Sequence, residues 1–201
     1  MNDKHIFLRT NIQIPDIYFD NKHLEIDDES VCNYRIDINV IEKDLDTMKE
    51  KTIASLKGVY FDLAYAMDNS ISTYDVFDMY SADTFAFYEI LYEDDMIKEE
   101  YESMWPNVFY IERLYVGKEY RNKGYAKTLL NEISNIIRDI LKLNVGQIIV
   151  YANPFEVNNG NDEMIKNNKV LSNKLLNLYK TTGFKEIDDD PSYLIKVCEK
   201  F

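Results

Sequence analysis

The chain has 201 residues, 46% of them hydrophobic, with a net charge of −13 and two cysteines, Cys32 and Cys198. That length suits one domain with an extension, that composition can bury a substantial core, and two isolated cysteines argue against a disulfide framework or a cysteine metal cluster. The histidines, His5 and His23, both lie near the N-terminus, so neither a histidine metal site nor a Ser-His-Asp triad is supported.

No segment reaches the roughly 20 apolar residues of a membrane span. The opening MNDKHIFLRT does not read as a signal peptide, and a reducing cytoplasm is the expected location. The charge is unevenly placed. Residues 59–106 carry twelve acids against Lys98, for a net charge of −11, whereas residues 113–142 are net +4. Such a chain is expected to attract a polyanion to the second stretch and to have neither nucleic acid nor membrane as a partner. A homodimer stays open.

Residues 1–30 mix Asn, Asp and isolated apolar side chains and are expected to hold little regular structure; residues 1–45 read as an N-terminal extension and 46–201 as the domain. YRIDINV (34–40) alternates with the period of a strand. GVYFDLAYAM (58–67) is aromatic-rich and reads as another. Ser72 offers a helix N-cap, and Phe77, Tyr80, Thr84, Phe87, Tyr88 and Leu91 follow at spacings that fit one face of a single helix. A shorter acidic helix is expected over 94–103.

VFYIERLYV (108–116) reads as a strand, followed by a short basic loop and an amphipathic helix through Ala126, Leu129, Leu130, Ile133, Ile136, Ile137, Ile140 and Leu141. QIIVYA (147–152) is an apolar strand closed by Asn153 and Pro154. LSNKLLNLYK (171–180) is a second helix with Gly183 at its C-terminal cap, and 184–187 and 192–197 form a closing strand pair. A helix crossing between two strands implies parallel pairing of those two. The expected fold is therefore α/β (α+β), with a mixed sheet flanked by helices.

The loop Tyr120-Arg121-Asn122-Lys123-Gly124-Tyr125-Ala126 lies between a strand and a helix N-terminus, where unpaired backbone N–H groups and a positive dipole end make an anion site. Gly124 permits close backbone approach, the small Ala126 leaves the way open, and Arg121 and Lys123 add charge. Arg121-x-x-Gly124-x-Ala126 resembles the Q/R-x-x-G-x-G/A signature of the GNAT superfamily of N-acetyltransferases. Glu112-Arg113-Leu114-Tyr115-Val116 resembles that family's central strand, and Leu178-Tyr179-Lys180-Thr181-Thr182-Gly183-Phe184 its C-terminal LYxxxGF segment. One departure is Ala126 where glycine is commoner. Another is the helical segment 72–103 just before the central strand, where the family usually puts two more strands.

The resemblance implies a mostly antiparallel sheet whose central parallel strands splay apart, with acetyl-CoA as cosubstrate and no metal. It implies that the amides of Arg121, Asn122, Lys123, Gly124, Tyr125 and Ala126 bind the pyrophosphate. Leu114, Tyr115 and Val116 would meet the pantetheine arm, and Asn153 would lie near the end of the second strand. It implies acetyl transfer by direct attack of a primary amine, with Tyr179 protonating the departing sulfur and Glu112 as base. Glu112 is expected on the strand face of Tyr110, Leu114 and Val116. It could equally pair with a neighbouring cation, and Tyr179 could be a half-buried helix aromatic. The acid-rich, aromatic stretch points to a cationic acceptor, a small molecule or a lysine side chain. The rival reading is a GNAT-like acyl-CoA-binding or protein-interaction module without turnover.

Overall fold

The computed structural model describes residues 4–13, 18–20, 23–25, 30–152, 155–158, 161–164 and 169–198. The first strand, β1 (Lys4–Gln13), is followed by a hairpin of β2 (Tyr18–Asp20) and β3 (His23–Glu25), then by the long strands β4 (Asn33–Asp44) and β5 (Glu50–Phe61). Three helices come next, α1 (Leu63–Asp68), α2 (Thr73–Asp78) and α3 (Ala82–Leu91), with a small hairpin, β6 (Tyr92–Glu93) and β7 (Met96–Ile97). The strand β8 (Val108–Val116) leads through a loop to α4 (Tyr125–Asn135) and β9 (Gln147–Tyr151). A hairpin of β10 (Phe155–Asn158) and β11 (Asn161–Met164), helix α5 (Lys169–Lys180), and the strands β12 (Lys185–Glu186) and β13 (Tyr193–Val197) complete the order.

Seven strands form one sheet in the order β1-β4-β5-β8-β9-β13-β12. All neighbours are antiparallel except β8 and β9, which α4 connects and which run parallel, as a crossover helix requires. The expected mixed, mostly antiparallel sheet flanked by helices is present. The two strands missing from the interval before β8 lie N-terminal to the helical segment instead: β4 and β5 precede α1, and β5 pairs β8 directly.

Each sheet face carries a core layer. Ile36, Ile38, Leu56, Phe109, Ile111 and Ile148 face α4 and α5. The apolar stripe of α4, with Leu129, Leu130 and Ile133, closes that layer. Past Asn135 the helix widens into a π turn, Ile136–Ile140, in which Leu141 N–H bonds Ile136 O five residues back. On the other face Val59, Phe61, Tyr110 and Ile195 meet Phe77 and Phe87, all buried. Burying a phenylalanine of this kind contributes about 1.5–3 kcal/mol. Among the described residues, no helix is long and apolar enough to cross a membrane.

Four sequence expectations are corrected. Residues 1–30 are not bare: β1 pairs β4 over ten residues, from Lys4↔Asp44 to Gln13↔Arg35. The strand expected over 58–67 ends at Phe61, because the Asp62 side chain accepts from Tyr65 N and caps α1. The single helix over 72–91 is two, because Ser81 and Thr84 form a capping box that starts α3 anew. The acidic helix expected over 94–103 shrinks to one 3-10 turn, Glu99–Tyr101, because left-handed Asp94 and Asp95 (φ 51° and 62°) turn the β6–β7 hairpin, and Asp95 accepts from Ser72 Oγ, Tyr74 N and Tyr88 Oη. A side chain that can hydrogen-bond nearby backbone and hydroxyl groups favours such a turn over a helix interior.

Candidate active site

The site begins where the two central strands part. They pair from Val108↔Gln147 to Ile111↔Val150, and beyond that β8 runs on to Val116 against β5 alone. The departure coincides with a bulge. Gly58 opposes Ile111 and Lys57 opposes Arg113, so Glu112 is the extra residue. A bulge bends its strand and increases the twist, which turns β8 away from β9. Gly58 makes this possible: a Cβ there would collide with Tyr110 O and lie 2.7 Å from Phe109 Cζ.

The bulge also reverses the parity of the strand. Phe109 and Ile111 belong to the α4–α5 layer before it, and Leu114 and Val116 belong to that layer after it. Tyr110 lies in the opposite layer. The expectation that Glu112 shares a face with Tyr110, Leu114 and Val116 is therefore wrong, because a period of two does not survive an inserted residue. Glu112 is exposed and accepts a hydrogen bond from Tyr80 Oη at 2.7 Å.

The loop after β8 is tied down by Gly117 N–H to Ile53 O at 2.9 Å. Asn122 (φ 62°) and Gly124 (φ 89°) are both left-handed, a backbone that turns successive N–H groups toward one concavity. Gly124 is the N-cap of α4 without a side-chain cap, and a Cβ there would meet nothing within 4 Å. The first helical bond joins Thr128 N to Gly124 O, so the earlier N–H groups have no partner within the helix. Arg121 folds back and donates from Nε to Val116 O at 3.2 Å. Lys123 turns outward, with Nζ 5.0 Å from the centre of the Tyr120 ring.

Between these parts lies a cavity of about 510 Å³. Its walls include Glu112, Leu114, Tyr115 and Val116 from β8, and Arg121, Asn122, Gly124, Tyr125 and Ala126 from the loop and α4. Tyr179 closes it from α5. Of the residues singled out in the sequence, Lys123 is absent from the walls and Asn153 lies outside the described residues. Lys127, Lys174 and Tyr151 also line it and were missed. A lysine in the first turn of an anion-binding helix was a readable signal for Lys127, whereas Lys174 and Tyr151 arrive through tertiary folding. Among the described residues Glu112 is the one carboxylate in the wall.

Tyr179 is 3% exposed and packs edge-on against Phe184, with ring centres 5.4 Å apart. Its carbonyl accepts from Thr182 N and Phe184 N across a turn in which Gly183 has φ 94°. The hydroxyl makes no hydrogen bond among the described residues, and burial alone pushes its pKa above that of an ordinary phenol. The Tyr80 phenol is raised as well, by burial first and by Glu112 second.

Residues 74–164 match the model of the acetyltransferase (GNAT) family. That span contains the bulge, the loop and α4 but not Tyr179. No curated protein matches the chain. Among the solved structures similar to it are these two. The crystal structure of the KacTA-DNA complex is 11% identical, with 81% of this chain and 67% of that chain covered and a TM-score of 0.44. A chimera of spermidine N-acetyltransferase SpeG from Vibrio cholerae and hSSAT is 15% identical, covers 83% of this chain and 67% of that chain, and has a TM-score of 0.35. The first of these corrects the partner expectation. It is a complex with DNA, so the exclusion of nucleic acid, which leaned on the acidic stretch 59–106, is withdrawn. One acidic stretch does not decide what a basic one elsewhere in the chain binds.

Proposed function

From the match of residues 74–164 to the acetyltransferase (GNAT) family we propose that the protein is an acetyl-CoA-dependent N-acetyltransferase acting on a primary amine by direct attack. The observation that carries the reading is the cavity in the splay of β8 and β9, which joins an uncapped helix N-terminus to Glu112 and Tyr179.

The residues fit the cosubstrate. The open space at Gly124 and the free N–H groups of the first turn of α4 suit a pyrophosphate, with Arg121, Lys127 and Lys174 adding positive charge. The edge of β8 beyond the bulge lacks β9 as a partner, and its backbone groups can pair with an extended amide chain. Acetyl-CoA supplies the acyl group as a thioester. N–H groups near Leu114 polarise its carbonyl. Glu112 draws a proton from the acceptor, which as an ammonium of pKa ~10.4 is mostly charged at neutral pH. Tyr179, kept protonated by its burial, donates a hydrogen bond to the sulfur as charge develops there. A phenol is a weaker acid than a thiol, so this bond stabilises the thiolate more than it surrenders the proton.

The acceptor in this proposal is cationic, a small molecule or a lysine side chain. Glu112, the one carboxylate in the cavity wall among the described residues, supports this. Not all of the acid-rich stretch contributes: Asp62 and Asp95 serve as caps and anchors, and Phe77 and Phe87 are core. The test is a panel of polyamines, aminoglycosides and lysine peptides against neutral and anionic amines. The cationic members should be acetylated fastest, and preference for glutamate would refute the acceptor class.

A further inference from the structure

No motif reaches Tyr80, yet its place is firmly built. It lies in the turn between α2 and α3, where Thr84, fully buried, donates from Oγ1 to Phe77 O at 2.7 Å and completes the capping box with Ser81. Tyr80 N–H bonds Phe77 O at 3.3 Å. Its ring stands edge-on to Phe61 at 5.6 Å, and the Arg35 guanidinium lies 5.8 Å over it. With backbone and ring both held, the hydroxyl has one location, and from there it donates to Glu112 Oε1 at 2.7 Å. The other carboxylate oxygen, Oε2, has no hydrogen-bond partner among the described residues.

We infer that Tyr80 is a positioning residue for acyl transfer, holding the Glu112 carboxylate on the bulge by one oxygen and leaving the other for the acceptor's proton. The inference rests on the reading of Glu112 as base. An exposed glutamate on a bulge otherwise samples several rotamers, and each must be given up before a proton can pass in one geometry. A phenol packed against the core removes that disorder. Arg35 from β4 is the cation beside the pair, and Tyr110, on the strand that carries Glu112, is the next phenol to feel the carboxylate.

The experiment is a double-mutant cycle of Tyr80→Phe and Glu112→Gln, read as kcat and as KM for acetyl-CoA with the best acceptor of the amine panel. Tyr80→Phe keeps the ring against Phe61 and loses only the donor. Its kcat should fall about tenfold at unchanged KM for acetyl-CoA. In the Glu112→Gln background the same change should do nothing further, since the group it positions is gone. A wild-type kcat in Tyr80→Phe beside an impaired Glu112→Gln would overturn the inference alone, as would a Tyr80→Phe effect that persists undiminished in the Glu112→Gln background. Full turnover in Glu112→Gln, or no acetylation of any amine, would overturn the base reading and this inference with it. Melting curves of all three variants separate a loss of fold from a loss of kcat.

Discussion

Gly124→Asp separates binding from folding at the phosphate cradle. Gly124 has φ 89°, where an ordinary L-residue costs about 1–2 kcal/mol, and aspartate, which tolerates the left-handed region, falls at the low end. A carboxylate at a helix N-terminus gains about 0.3–1 kcal/mol from the dipole, which offsets much of this strain. A Cβ there meets nothing within 4 Å, so no clash is added. The melting temperature should therefore move little. The effect on the anion is different. Two like charges about 5 Å apart repel by roughly 3 kcal/mol at an effective dielectric of ~20, and solvent around this exposed loop screens part of it. At least tenfold weaker acetyl-CoA binding, about 1.4 kcal/mol, is expected by titration calorimetry. Gly124→Asn, similar in shape and uncharged, should lose much less. Unchanged affinity in folded Gly124→Asp would refute the cradle assignment, and equal losses in both variants would refute the electrostatic argument.

Tyr179→Phe keeps the ring against Phe184 and removes a hydroxyl that bonds nothing among the described residues, so turnover should fall ~100-fold while acetyl-CoA affinity and melting temperature stay near wild type. Retained turnover would return Tyr179 to packing. Gly58→Val forces a branched side chain into Tyr110 O and the Phe109 ring and should cost about 3 kcal/mol or more, read as a lowered urea midpoint; wild-type stability would contradict the close approach at the bulge. The phenols of Tyr60, Tyr92, Tyr110 and Tyr179 are raised above the ordinary value of 10 by burial. The folded chain thus keeps protons that the unfolded chain releases, so stability is complete below pH ~10 and falls as pH rises beyond it. Thermal melts across that point that show no decline would contradict it.

The legible part of the molecule was the local part. The strand over Val108–Val116, the glycine loop and the amphipathic helix each declare themselves within a few residues, and their junction is the anion cradle. The bulge does not declare itself. Nothing in VFYIERLYV marks Glu112 as extra, because the cause is Gly58 on the neighbouring strand, and the face assignments on either side of it failed together. The helix break at Ser81 was hidden because Phe77, Phe87 and Leu91 keep helical spacing across it and all reach the same core. In β1, Ile6, Leu8 and Ile12 do alternate, yet the pairing that makes a strand of them lies about thirty residues away in β4. Tyr80 looked like one more aromatic on a helical face, and only the tertiary structure brings it to Glu112.

Acyl transfer and acyl-CoA storage differ in one directly measurable outcome. Wild-type protein is mixed with acetyl-CoA, and free thiol is followed with and without the amine panel. An acetyltransferase releases thiol in a way that depends on the amine, saturates with it, and is matched mole for mole by acetylated product, and this is the result expected. Tight acetyl-CoA binding with no amine-dependent thiol release would contradict it and leave a binding module in its place.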